Sequence, residues 1–355
     1  MGAAGAGDET VLVVDGNAIV HRAFHSQART GARTADGRPI WAVRGLLSQL
    51  VAAVERVGPD RVVVGFDDPA ASVRRERWPQ YKAQRAEKLP ALVEQLETAA
   101  HALRRLGVEV VVPAGLEADD VLASVAHRVR EAGGQTVVAT SDRDAFGLID
   151  ERTRVLRIIN GGVEASPMLT PQRLEMMLGV RPVQYRDFAA LRGDPSDNLP
   201  GVRGIGPRTA ARLLAEFGTA RAVFDEIADG GERVSATVGK AATGRLRDPG
   251  ARANWELNCR VMTMHTDVDV DLAGPAGVLP LPAADVASAF TAFDLVWTTP
   301  AALRALAHDE TGGGTAPVPP DRVEPSWWPG PPRPARHRPL PARPRPARDD
   351  QLALF

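Results

Sequence analysis

Nine carboxylates stand at positions suited to holding divalent cations. Asp15 closes the run TVLVVD, Asp67 follows RVVVGF, Glu117, Asp119 and Asp120 come just past VEVVVPAGL, and Asp142 and Asp144 follow QTVVATS. In an open parallel sheet the carboxyl ends of the strands form one edge, and ligands bind there. These seven acids are therefore expected to converge, and Asp194 and Asp197 come from a later loop. Carboxylates about 4 Å apart repel by roughly 4 kcal/mol per pair at an effective dielectric of 20, so the cluster needs protons or cations. Oxygen ligands without a cysteine and histidine pattern favour Mg²⁺ over zinc, and a cation that keeps waters suits phosphoryl chemistry. Helix capping explains one Asp after a strand at least as well as metal binding does. It explains the set less well, because Glu117, Asp119 and Asp120 cannot all cap the single helix that follows.

The elements that would position these acids are legible as apolar, β-branched runs at 10–16, 61–68, 108–115, 135–142 and 153–158. Such runs read as strands buried on both faces. Helical stretches at 44–57, 89–106 and 118–131 alternate with them, which predicts an α/β domain with a mainly parallel sheet over 10–183 after a flexible 1–9. Beyond it, stretches such as TAARLLAEFG predict a helical domain over 184–308. From 309 to 350 the chain is too rich in proline and too poor in aliphatic residues for a core, and reads as a disordered linker.

Bulk properties restrict the function less. The 355 residues are 44% hydrophobic with one cysteine, Cys259, which excludes an internal disulfide framework and fits a reducing, cytoplasmic setting. No leader or spanning segment is evident at the sequence level. The net charge of -1 would argue against a nucleic-acid partner, but the acids gather in short motifs and the arginines in separate stretches, as suits a polyanion bound around an acidic site.

Two segments carry the remaining chemistry. In GVRGIGPRTA, Gly201, Gly204 and Gly206 precede a helix start at Arg208 and Thr209, so backbone and helix amides can approach a phosphate. A dinucleotide loop is disfavoured because no strand is expected before these glycines and their spacing fails. The segment SVRRERWPQYKAQRAEK, 72–88, is dense in cations with Trp78 and Tyr81 interleaved, and by itself reads as a solvated helix.

Asp15, Asp67, EADD at 117–120, SDRD at 141–144 and GDPSDNLPGVRGIGPRTA together resemble the bacterial and phage 5′ nuclease (flap endonuclease) family, which includes the 5′-3′ exonuclease domain of DNA polymerase I. The likeness covers roughly 10–275, and the chain reads as a stand-alone member. It implies a PIN-like domain, then a helix-three-turn-helix element that grips duplex DNA and in related members holds K⁺. It also implies two Mg²⁺ (or Mn²⁺) ions: Asp15, Asp67, Glu117 and Asp119 hold the first, and Asp120, Asp142, Asp144, Asp194 and Asp197 hold or orient the second. In-line attack by an activated water between metals roughly 3.5 to 4 Å apart would follow. By the same likeness, 72–88 is a helical arch in which Arg74, Tyr81, Lys82 and Arg85 contact phosphates or stack on a base. His21 stands where polymerase-associated relatives carry Tyr, which bears on substrate preference rather than on the metals.

The last residues, Gln351, Leu352, Leu354 and Phe355, resemble the peptide by which bacterial proteins bind the sliding clamp. The sequence thus predicts a monomeric 5′-3′ exonuclease and flap endonuclease acting on branched or RNA-primed DNA in replication or repair, away from membranes. A non-catalytic, clamp-recruited binder of branched DNA is the competing class, and it predicts a missing ligand where none is missing.

Overall fold

A computed structural model describes residues 9–309, all within one compact unit, Met1–Ala316. The expectations for 1–8, for the linker beyond 309 and for the clamp peptide at 351–355 lie outside the described residues. The chain runs β1 (Thr10–Asp15), α1 (Gly16–Gln27), α2 (Trp41–Val57), β2 (Arg61–Gly65), α3 (Val73–Arg77), α4 (Pro90–Arg105), β3 (Glu109–Val111), α5 (Ala118–Glu131), β4 (Gln135–Thr140) and β5 (Thr153–Arg157). There follow α6 (Gly162–Ala165), β6 (Met168–Leu169), α7 (Pro171–Leu178), α8 (Tyr185–Arg192), β7 (Gly193–Asp194), β8 (Leu199–Pro200) and α9 (Pro207–Phe217). The last helices are α10 (Ala220–Ala228), α11 (Glu232–Val238), α12 (Lys240–Leu246), α13 (Pro249–Val261), α14 (Ala283–Ala292) and α15 (Thr299–Ala307).

The six-stranded sheet has the order β3-β2-β1-β4-β5-β6, parallel except for β6. Strand order reverses between β1 and β4, so the crevice at their carboxyl ends is a switch point where ligands bind in such sheets. The strands are apolar throughout because alternate residues serve two cores. Leu12 and Val14 of β1 face one core with Val62, Val64 and Val137, while Val11 and Val13 face the other with Val63 and Val138. Glu9, expected to be loose, already belongs to the ladder: its carbonyl accepts from Gln135 N at 2.8 Å.

The second core is continuous across residues 183 and 184, running from Val11 and Val138 of the sheet to Leu213, Leu214 and Phe224 of the helical part. The end of the expected helical region, 184–308, packs on the other core. Gly277 O accepts from Val62 N at 2.8 Å, and Val286, Phe290, Ala302 and Leu306 of α14 and α15 complete the first core beside α2. Burying the apolar face of α2 requires a partner layer, and these late helices supply it. Finally, 72–88 is no long helix: α3 spans five residues and turns follow. Pro79 disfavours helical backbone at Trp78, which sits at φ -132° and ψ 83°, and Lys82 adopts a left-handed φ of 54°.

Candidate active site

Asp15, Asp67, Glu117, Asp119 and Asp142 line one cleft at the carboxyl edge of the sheet. Several of them also cap helices. Asp15 Oδ1 accepts from Ala18 N at 2.8 Å at the start of α1, and Asp67 Oδ1 accepts from Ala118 N at 3.0 Å at the start of α5. Capping and metal binding are therefore not alternatives here, because a carboxylate has lone pairs enough for both. Two polar residues that the sequence reading passed over hold the cluster in place: Thr140 Oγ1 donates to Asp15 Oδ2 at 2.7 Å, and Asn17 Nδ2 donates to Asp67 Oδ2. Each lies two residues from an acid in its motif, and that proximity was the available signal.

The cluster is electrostatically compensated only in part. Burial pushes the Asp15 carboxyl up to about 7, against hydrogen bonds from Ala18 and Thr140, and the charges of Asp67 and Asp142 add to the rise. Burial likewise raises Asp144 to about 7, aided by Asp142, Asp194 and Asp197. Asp119 is raised well above the carboxylate range by burial and by Asp142, Asp15 and Asp144, and its buried Oδ1 has no hydrogen-bond partner. A buried polar atom without a partner is costly unless something outside the chain satisfies it. Among the described residues no three of these acids close into a finished coordination shell. Still, an all-oxygen donor set with an orphaned buried oxygen at its centre fits a hard divalent cation.

Three of the nine carboxylates are already paired with cations of the chain. Asp120, fully buried, receives Arg74 through both oxygens at 2.7 Å and also accepts from Glu117 N and His265 N. Burial would raise this carboxyl, but Arg74 and the backbone donors hold it below the usual range. Its lone pairs are spent, so the geometry does not place it as a ligand. Arg74 is not a free phosphate contact either: it is 5% exposed and also donates to Val261 O and Thr263 O. Arg85 reaches Asp197 Oδ1 at the rim. Glu117, a third case, accepts from Tyr81 Oη at 3.0 Å and from Lys82 Nζ at 2.8 Å. Tyr81 is buried beside Leu199 and Val261 rather than exposed for stacking.

Asp194 and Asp197 approach from the loop between α8 and α9. Asp194 accepts from Ser196 N at 2.8 Å, and Lys82 N donates to Asp197 O at 3.0 Å, which seats the 78–85 turn on that loop. A short antiparallel ribbon, β7 with β8, does precede the glycines, contrary to expectation. Gly201 is glycine for an internal reason, since a Cβ there would meet Arg192 O at 2.2 Å. At Gly206 a Cβ would meet nothing within 4 Å, and neighbouring Arg208 is exposed at the amino end of α9, open to an anion.

An acidic crevice at the switch point of a parallel sheet, approached by a loop from a helical region, defines an α/β protein of the class that binds its ligands at the carboxyl ends of the strands. Comparison with known proteins agrees. Residues 10–179 match the 5′-3′ exonuclease N-terminal resolvase-like domain and residues 180–279 match the 5′-3′ exonuclease C-terminal SAM fold. The chain belongs to the 5′-3′ exonuclease (5′ nuclease) family. It is 35% identical over 237 residues to DNA polymerase I of Mycobacterium bovis, which covers 67% of this chain and 26% of that protein. With the thermostable DNA polymerase I of Thermus thermophilus it shares 39% over 217 residues, 61% of this chain and 25% of the relative. The chain thus spans about a quarter of the length of these relatives. In fold it is similar to the bacteriophage T5 5′-exonuclease with divalent zinc bound, at a TM-score of 0.57 and 19% identity over 84% of this chain and 100% of the other. The catalytic core of Rad2 in complex with DNA substrate gives 0.54 and 15% over 86% and 94%. Among the described residues no helix is long and apolar enough to cross a membrane.

Proposed function

We propose that this chain is a structure-specific 5′-3′ exonuclease and 5′-flap endonuclease that hydrolyses DNA phosphodiesters with two divalent ions, Mg²⁺ or Mn²⁺. The observation that carries the reading is the buried, partnerless Asp119 Oδ1 among carboxylates whose burial and mutual repulsion Lys82 offsets only in part. Asp15, Asp67, Glu117 and Asp119 would hold one ion, and Asp142, Asp144, Asp194 and Asp197 would hold or orient the other. Divalent ions at such a site supply Lewis acidity and lower the pKa of water. Thr140 and Asn17 keep Asp15 and Asp67 oriented. Lys82 and Arg85 line the cleft beside the acids, where their cations can offset charge developing on a phosphate. Gly206, Arg208 and Thr209 at the amino end of α9 would grip a duplex phosphate, and K⁺ in that loop belongs to the same reading. Products would carry 5′-phosphate and 3′-hydroxyl ends.

Branched DNA and RNA-primed DNA arising in primer removal, Okazaki fragment maturation and repair are the substrates this activity suits. Within the same reading Gln351, Leu352, Leu354 and Phe355 dock on a bacterial sliding clamp, and the protein acts as a cytoplasmic monomer. Cleavage of a 5′-flap duplex tests the core of it: Mg²⁺ or Mn²⁺ should support cleavage, and Asp142→Ala should lower it by about 100-fold. Binding without cleavage by the unaltered chain would favour the non-catalytic binder, and undiminished cleavage by Asp142→Ala would remove the acidic edge from the reaction.

A further inference from the structure

The loop that brings Asp194 and Asp197 to the acidic edge has little of its own to hold it. Its stem is the β7 and β8 pair, two residues each, and so short a ribbon is marginal without packing from outside. The two arms cross too closely for side chains to brace them. A Cβ on Gly193 would meet Gly201 N at 2.2 Å, and one on Gly201 would meet Arg192 O at 2.2 Å. Beyond the ribbon, a backbone bond from Val202 N to Leu191 O at 2.8 Å closes the neck. The holds further out, Lys82 N to Asp197 O and Asn198 Nδ2 to Gln80 O, come from the 78–85 turn rather than from a helix or strand of the fold.

A hold from a long helix reaches the stem from α13. Asn258, 0% exposed, donates from Nδ2 to Ala190 O at 3.0 Å on the arm that enters the loop and to Pro200 O at 2.9 Å on the arm that leaves it. Ala190 is in the last turn of α8, where carbonyls lack partners within the helix, so one amide satisfies it and ties it to the opposite arm. The amide can point only one way, because its oxygen in place of Nδ2 would face two carbonyl oxygens. In this orientation Oδ1 is buried with no hydrogen-bond partner, a cost that an apolar side chain of similar volume would avoid. The two donated bonds, and not the packing, account for an asparagine here. On either side of it along α13, Trp255 Nε1 and Cys259 Sγ reach Asp187 Oδ1 of α8 at 3.0 and 3.6 Å. This face of α13 is thus fastened to the helix that launches the loop.

We propose that Asn258 is a positioning residue: by tying both arms of the stem to α13 it sets how far Asp194 and Asp197 reach towards Asp142 and Asp144, without itself touching metal or DNA. The proposal rests on the two-ion reading and adds to it the residue that holds the carboxylates supplied from the helical side. In the full chain, Asn258→Leu should speed hydrogen exchange of the amides from Asp194 to Leu199 in EDTA about tenfold, while the sheet amides keep their rates. On a 5′-flap duplex it should raise the Mn²⁺ concentration for half-maximal cleavage about tenfold and leave KM for the duplex within about twofold. Excess Mn²⁺ should restore most of the rate, whereas a chain that was only less stable would lose rate without this shift. Asn258→Ala, which removes both donors without adding bulk, reads the same quantities should the leucine variant fail to fold. An unchanged Mn²⁺ midpoint overturns the proposal whether or not the loop exchanges faster, and so does a rise in KM that matches the fall in rate. If the unaltered chain cleaves nothing with Mg²⁺ or Mn²⁺, the nuclease reading fails instead. Calorimetric Mn²⁺ uptake by the two chains without DNA then still decides the brace, and equal affinities overturn it.

Discussion

Replacing Arg74 with Ala separates a structural role from a phosphate-contacting one. The guanidinium and the Asp120 carboxylate meet through two hydrogen bonds of 2.7 Å, with 6% and 0% of the two side chains exposed. Charges about 4 Å apart attract by about 4 kcal/mol at an effective dielectric of 20, and desolvation offsets much of that gain. Removing one partner is different, because the other charge stays buried and uncompensated at a cost of about 3 to 5 kcal/mol. Arg74 also satisfies Val261 O, the last residue of α13, and Thr263 O just beyond it, so that segment would loosen too. We therefore expect Arg74→Ala to lower unfolding free energy by about 4 kcal/mol, a large share of the 5 to 15 kcal/mol typical of a folded domain. Arg74→Met with Asp120→Leu should recover much of the loss, since an apolar pair of similar volume removes both charges. Urea unfolding in EDTA reads the difference. A loss below about 1 kcal/mol accompanied by collapse of DNA affinity would refute the structural role and restore Arg74 to the substrate.

Two further outcomes follow from the acidic edge. The folded chain holds protons on Asp15 and Asp144 up to about pH 7, whereas their ordinary value is 3.8. Between those values the folded state binds more protons than the unfolded one, so stability without metal should fall as pH rises from about 4 to 7, by up to about 1.4 kcal/mol per pH unit for each group. Saturating Mg²⁺ should flatten the decline, and urea midpoints at pH 5 and 7.5 that do not differ in EDTA would refute it. Lys82 donates to Glu117 at 2.8 Å and so competes with a metal for that carboxylate. Lys82→Met should tighten Mn²⁺ binding about fivefold by titration calorimetry while slowing flap cleavage, and unchanged or weaker binding would show that the pair does not compete.

Much of the sheet was legible because a strand buried on both faces leaves a continuous apolar run, and β1 to β5 fall inside the runs that predicted them. β6 escaped because two residues carry no periodicity. The late helices α14 and α15 were read only as part of a helical region, since an amphipathic stripe shows that a face is buried and not against what. Of the candidate acids, the five around the cleft were readable from strand ends alone. The pairing of Asp120 with Arg74, 46 positions away, was not legible, because only folding makes them neighbours. The burial of Tyr81 was hidden for the same reason: an aromatic in a basic segment looks exposed until Leu199 and Val261 close over it.

What the sequence by itself determined was the inventory and its edge: which carboxylates exist, that strand ends carry most of them, and to which family the pattern belongs. Those features are local, or follow from the geometry of any parallel sheet. Only the tertiary structure decided how charge is distributed among them. It commits Arg74, Lys82 and Arg85 to carboxylates and leaves Asp119 Oδ1 without a hydrogen-bond partner. The physical reason is that desolvation and pairing depend on distances between residues far apart in the chain, and these are set when the two cores close on either side of the sheet.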